Sequence, residues 1–297
     1  MSQQLRTWLL PLAMVAGGLA YPFFARLAFL MPYLIFCMLL ITCCDLSPGE
    51  LRFKRVYWTL LGIQVAGAAA VYVAAGAFSP LLGEGAMICV LAPTATAAAV
   101  ITGMLGGSVA FTATYTLASS LCVAVVSPFF FAHAGALADL PFWESAGTVF
   151  RQVMPLLVAP LLCAFALERF LPAARRAVRR ARVLSYYLWV ISLTIVSGKT
   201  VSFIVSQGDK SLREEIGLAL AALVACVAQF LLGRRVGRRH GDAVSAGQSL
   251  GQKNTVLAIW MAQAYLHPLA SVAPAAYVLW QNSINSLQLW LRQRGKR

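Results

Sequence analysis

The sequence predicts an all-α integral membrane protein with ten transmembrane helices. Three observations predict it. Hydrophobic residues make up 60% of the chain and charged residues only 11%, where a soluble domain carries roughly 25% charge. Mean hydropathy is +0.75, so water is a poor solvent for this surface. The apolar residues are gathered into about ten stretches of roughly the 20 residues that a bilayer crossing requires, separated by short polar breaks. The ~10-residue alternation that marks a membrane β-barrel does not occur in the sequence.

In chain order the stretches are about 7–24, 28–45, 57–78, 82–106, 107–131, 146–170, 184–206, 216–233, 246–266 and 270–291. The first follows Arg6 and has no clear small-residue cleavage site, so it reads as a span and not as a removed leader. The whole of 1–297 then forms one polytopic domain. Small residues in "VAGGLA", "VAGAAAVYVAAGA" and "TGMLGG" suit close helix contact. Tyr and Trp near the span ends suit an aromatic belt. All seven cysteines fall inside apolar stretches, with no CxxC pair and no Cys/His spacing for a metal. Cys43 and Cys44 read as packing residues.

Charge sets the expected orientation. Lys and Arg number 24 against 10 acids, for a net charge of +14. With both termini in the cytoplasm, the inner side receives Arg6, Arg52, Lys54, Arg55, Arg169 and the runs "ARRAVRRAR", "GRRVGRR" and "RQRGKR". The outer side keeps Arg26, Arg151, Lys199, Lys210 and Arg213. The positive-inside rule selects this arrangement and accounts for the charge without nucleic acid. The run "ARRAVRRAR" reads as a solvated cytoplasmic loop; membrane lipid is the other partner open to it.

Ten spans divide into five plus five, a repeat of about 1–134 and another of about 140–297. An odd number per half inserts the second half inverted relative to the first, the plan of many secondary transporters. The fourth span is broken at Pro93 in "LAPTAT" and the ninth at "GQKN", residues 251–254. Lipid would charge Lys253 about 2.5–3.5 kcal/mol at the centre of a helix. Broken helices expose backbone groups that hydrocarbon cannot satisfy, so the two breaks face each other, other protein or a water-filled cavity. Two simpler readings stay open: Pro93 as a plain kink, and a ninth span that starts later, with Lys253 snorkelling at the cytoplasmic edge.

The stretches "PTATAAAVITGMLGGSVAFTATYTLASSLCVAVVSP", "GQKNTVLA" and "WQNSINSLQLW" resemble the bile acid:sodium symporter family. The resemblance runs over nearly the whole chain in span count and break positions. It is most specific in the Gly-x-x-Asn-x-x-Leu-Ala pattern from Gly251 to Ala258 and at the junction of spans four and five. It implies panel helices over about 7–45 and 146–206 and core helices over about 57–131 and 216–291. It also implies discontinuous fourth and ninth helices that cross, an organic anion held between panel and core, and two sodium ions behind the crossing. The substrate contacts it implies are Thr94, Thr112, Asn254, Gln281 and Asn282. The ion region holds Gln64, Thr116, Ser249, Gln252 and Lys253.

The departures from that pattern all oppose a bound cation. Ala98 and Ala99 stand where the family has Ser and Asn, Ser249 where it has an acid, and Lys253 where it has Gln. Sodium needs oxygen ligands and, in a low dielectric, compensating negative charge. Three roles are open to Lys253. Its ammonium, with three donors, replaces the ion by holding carbonyls freed at Pro93 and Gly251; or it pairs with an anionic substrate; or it exchanges a proton. A structural use also competes for the other polar residues: threonines 94, 96, 112, 114 and 116 can bond back to helix carbonyls, and Gln281 and Asn282 can bond between helices.

The expectation is therefore a secondary transporter of a small organic anion, bile-acid-like or a short carboxylate, with lost or altered sodium coupling. Its place is a bacterial inner membrane, with both termini cytoplasmic and no cofactor. The alternatives are a non-transporting receptor or scaffold that keeps the carrier fold, and a proton-coupled or facilitative carrier. An enzyme is not expected: the ten acids form no aspartate cluster for magnesium, and there is no HExxH or Ser/His arrangement.

Overall fold

A computed structural model describes residues 12–45, 53–134, 140–207 and 212–294. Helix α1 covers 12–19. It leads through α2 (Tyr21–Phe24) and a 3-10 turn (Ala25–Leu30) to α3 (Met31–Asp45). Next come α4 (Arg55–Gly76), α5 (Pro80–Leu91), α6 (Ala97–Met104), α7 (Val109–Ala134) and α8 (Phe142–Phe170). A short α9 (Pro172–Arg180) precedes α10 (Arg182–Gln207) and α11 (Leu212–Arg238). The chain ends with α12 (Ala243–Gly251), α13 (Thr255–Tyr265), a 3-10 turn (Pro268–Ser271) and α14 (Val272–Arg294).

The described residues are thus all-α, and the apolar stretches of the sequence are helical over most of their described parts, interrupted at 92–96 and 252–254. Among the described residues, six helical stretches are long and apolar enough to cross a membrane: Tyr21–Cys44, Arg55–Gly76, Val109–Ala134, Phe142–Phe170, Tyr187–Ser206 and Leu212–Arg238. α5 and α13 are apolar but shorter, because each is one half of an interrupted pair. α14 carries Gln281, Asn282, Asn285 and Gln288, which dilute its hydropathy.

Glycines let the core helices touch backbone to backbone. A Cβ on Gly83 of α5 would lie 2.8 Å from the Tyr72 carbonyl oxygen of α4. A Cβ on Gly233 of α11 would lie 2.9 Å from Gly247 Cα of α12. The pairs α4–α5 and α11–α12 are accordingly the most extensive helix contacts. α3 packs against α8 and α10. Met31, Ile35, Met87, Val153, Ile195, Ile259 and Tyr277 join these groups in one buried core.

At one end, Lys54 pairs with Asp242 at 3.1 Å, and Arg292 donates to the Met104 carbonyl at 2.8 Å. The second contact places a cation on the last turn of α6, where the helix dipole is negative. The basic run expected to be a loop is instead helical, as α9. Pro172 starts it at a position where no N–H is needed, and Ala and Arg are strong helix formers. Arg175 bonds back to Glu168 at 3.1 Å.

Candidate functional site

The two interruptions meet. Thr94 and Lys253 form an isolated antiparallel bridge, flanked by Ala95 N–H donating to the Gln252 carbonyl at 2.9 Å and Asn254 N–H donating to the Pro93 carbonyl at 2.8 Å. Thr94 and Lys253 are therefore the non-hydrogen-bonded pair of the bridge, and their own N–H groups point away from it. Thr94 N–H donates to Ser119 Oγ of α7 at 3.2 Å. Lys253 N–H donates to Gln281 Oε1 of α14 at 2.9 Å.

Ending α5 at Leu91 frees a set of carbonyls that need partners. Each oxygen from Cys89 to Pro93 has one. Pro93 has no N–H to offer Cys89, whose carbonyl accepts from Gln229 Nε2 of α11 at 3.3 Å. The Val90 carbonyl accepts from the Lys253 ammonium at 2.8 Å. Those of Leu91 and Ala92 both accept from Gln64 Nε2, at 2.8 and 3.0 Å. The Pro93 carbonyl belongs to the bridge.

α12 ends on the same principle. The Ser249 carbonyl accepts from Thr94 Oγ1 at 2.6 Å, and the Gly251 carbonyl from Tyr277 Oη at 2.8 Å. Asn254 caps α13 by accepting from Leu257 N–H at 3.2 Å. Gly251 admits no side chain, because a Cβ there would run into the Phe230 ring.

Lys253 is 1% exposed. The edge reading, in which it snorkels to the cytoplasm, fails: the main chain at 252–254 is tied to the Pro93 break, which holds the side chain inside the protein. Its ammonium bonds the Val90 carbonyl, freed where α5 ends at the Pro93 break, while the Gly251 carbonyl goes to Tyr277.

Of the other residues singled out in the sequence, Gln64, Thr94, Ser249, Gln252 and Gln281 gather at the crossing. Gln64 Oε1 accepts from Tyr115 Oη at 2.9 Å and from Ser119 Oγ at 3.1 Å. Gln252 Oε1 accepts from Asn285 Nδ2 at 3.3 Å. Ser249 Oγ is buried with no partner in the structure, as is Thr255 Oγ1 just beyond the break. Thr112 lies elsewhere, bridging helices through Thr102 Oγ1 at 2.9 Å. Thr116 bonds back to the Thr112 carbonyl at 2.9 Å, as Thr114 does to Ala110 at 2.8 Å. Gln281 and Asn282 separate: Gln281 braces the break, and Asn282 Nδ2 turns back to the Val278 carbonyl at 2.7 Å.

Sequence reasoning missed four residues that close the crossing: Tyr115, Ser119, Gln229 and Tyr277. A signal for one of them was present. Gln229 is a lone glutamine in the apolar middle of α11, as Gln64 is in α4, and each bonds a tyrosine, Tyr277 at 3.0 Å and Tyr115 at 2.9 Å. A second polar ladder leaves the crossing along α14, where Gln281, Asn285 and Gln288 stand at i, i+4 and i+7. Gln248 Nε2 donates to Asn285 Oδ1 at 3.0 Å and to Gln288 Oε1 at 3.1 Å, and Arg234 donates to Gln288 Oε1 at 2.9 Å. Among the described residues, no group of three His, Cys, Asp or Glu gathers as a metal site. No protein-family model matches the chain, and no curated protein matches it.

Proposed function

We propose that the chain is a secondary transporter of a small organic anion, built on the plan of the bile acid:sodium symporter family, in which the Lys253 ammonium stands where a coupling cation would bind. The observation that carries this reading is the clasp of two interrupted apolar segments with Lys253 Nζ on the Val90 carbonyl at 2.8 Å. Non-helical backbone at membrane depth is tolerated where it is buried in protein or lines a cavity, and paired broken helices mark transporter binding sites.

Support for ten spans in two inverted repeats comes from correspondences around the clasp. α4 through α7 pair with α11 through α14. In each set the first helix supplies a buried glutamine, Gln64 or Gln229, to a tyrosine on the last, Tyr115 or Tyr277. In each, the bridge residue donates its N–H to that last helix, at Ser119 or Gln281. The basic clusters support an orientation with both termini cytoplasmic, and we take the membrane to be a bacterial inner membrane.

The residues do not fit a sodium site of the family's kind. Ala98 and Ala99 have no side-chain oxygen, Ser249 has no charge, and an ammonium already bonds the freed carbonyl. Of the three roles for Lys253, bracing the crossing is favoured over substrate pairing, because Nζ is buried against main chain.

Uptake into proteoliposomes tests this. Wild-type protein is expected to accumulate a labelled organic anion equally with and without a sodium gradient. Lys253→Gln, alone or with Ser249→Glu, is expected to make uptake sodium-stimulated by several-fold. Sodium-stimulated uptake by the wild type sinks the replacement of the ion, and ligand binding without accumulation establishes a receptor instead.

A further inference from the structure

Lys199 is a second lysine inside an apolar helix, and its surroundings differ from those of Lys253. It stands eight residues before Gln207, the last residue of α10, or roughly 12 Å at 1.5 Å per residue. It is half-buried and has no hydrogen-bond or ion-pair partner among the described residues. Ionisable side chains at such depth face cavities or partners. A half-open cleft of about 310 Å³ is there, lined by Lys199, Ser202, Phe203 and Ser206 of α10 and also by Gln263 of α13 and Ser271.

The four α10 residues follow an i, i+3, i+4, i+7 spacing, which is one face of the helix. That face is fixed by its neighbours. A Cβ on Gly198 would lie 3.0 Å from the Gly17 carbonyl oxygen, so α10 rests on α1 beside Lys199. Gln263 Nε2 donates to Thr200 Oγ1 at 2.9 Å, and Ser271 Oγ donates to the Pro268 carbonyl at 2.6 Å. The Gln263 and Ser271 part of the lining is thereby set before any ligand arrives. Among the described residues, Lys199 Nζ and Ser202 Oγ have no partner, and the Phe203 ring supplies an apolar surface. Glu84, an acid among the described residues near this region, is engaged with the His267 N–H at 2.8 Å.

The geometry points to an anion-binding site in this cleft, selective for a short monocarboxylate whose charge meets Lys199 and Ser202 and whose apolar body meets Phe203. An ammonium and a hydroxyl match the two oxygens of a carboxylate. A volume of 310 Å³ lies at the small end of ligand pockets, roughly 300–1,000 Å³, which favours a body of a few carbons over a sterol. Where the chain is a carrier, this site selects the anion at the face opposite the basic clusters. That role rests on the transport reading; the binding itself does not.

Calorimetry on the purified full-length protein tests it with acetate, hexanoate and benzoate, and with benzamide as the uncharged match of benzoate. At least one carboxylate is expected to bind, and benzamide is not. Lys199→Met is expected to weaken binding at least 10-fold, Lys199→Arg to keep it within a few-fold, and Ser202→Trp, which fills the cleft without removing charge, to abolish it. Each variant is compared at unchanged Tm without ligand. Equal affinity of wild type and Lys199→Met, benzamide binding as well as benzoate, or no carboxylate binding at all overturns the site. Lysine-dependent binding in a protein that fails to accumulate the same carboxylate in proteoliposomes leaves the site standing and removes the transporter.

Discussion

The two interruptions solve one problem by different means. The break between α5 and α6 contains Pro93, whose missing N–H stops the helix by covalent structure. The break between α12 and α13 has no proline. Its backbone at Gln252, Lys253 and Asn254 could continue a helix, and tertiary bonds hold it open: Asn254 N–H to Pro93, Gln281 Oε1 on Lys253 N–H, Tyr277 on the Gly251 carbonyl. The difference teaches that a helix break can be written in one residue or in a set of distant partners. The second kind exists only when its partners are in place. The glutamines differ as well. Gln64 uses both ends of its amide, donating to two carbonyls and accepting from two hydroxyls. Gln229 donates to Cys89 and Tyr277, while its Oε1 is buried with no partner in the structure.

Substitutions that strip one side of this comparison should differ in size. Gln64→Leu has the largest expected effect. It strands the carbonyls of Leu91 and Ala92 together with the hydroxyls of Tyr115 and Ser119, at about 3 kcal/mol for four membrane hydrogen bonds, read as lost stability in SDS unfolding. Gln229→Leu should cost about half, near 1.5 kcal/mol, since it breaks two bonds and also removes an unpartnered oxygen. Equal losses at the two sites would erase the contrast. Asn254→Ala removes the α13 cap and should cost about 1 kcal/mol, while Asn254→Asp keeps the acceptor and should cost less. Pro93→Ala should change stability least, by less than about 0.5 kcal/mol. The restored N–H has little reason to rebuild a continuous helix while Ala95 and Asn254 remain bonded across the break. A large loss on Pro93→Ala would mean that the clasp cannot keep the first interruption open once the covalent stop of the proline is removed.

The break positions were legible because each leaves a local mark in the sequence. Pro93 announces itself, and "GQKN" is out of place in an apolar stretch. The bond of Lys253 to the Val90 carbonyl was legible only as one of three uses of the side chain, because choosing among them requires knowing which oxygen lies within 3 Å. The separation of Gln281 from Asn282 was hidden for a related reason. Adjacent helix residues point about 100° apart, and hydropathy does not say which one faces the break. Tyr115, Ser119 and Tyr277 are ordinary for membrane helices, and nothing in their flanking residues marks them.

Taken alone, the sequence determined which stretches are apolar helices, where two of them break, the charge asymmetry between their ends, and the presence of one ammonium where lipid would penalise it. These follow from properties of neighbouring residues, which periodicity and hydropathy report directly. The tertiary structure decided that the breaks meet as Thr94 against Lys253, that Val90 receives the ammonium from 163 positions away, and that Lys199 lines a half-open cleft while Lys253 is buried. Contacts of that separation depend on how helices pack, and a buried backbone group is satisfied by whichever partner the packing delivers.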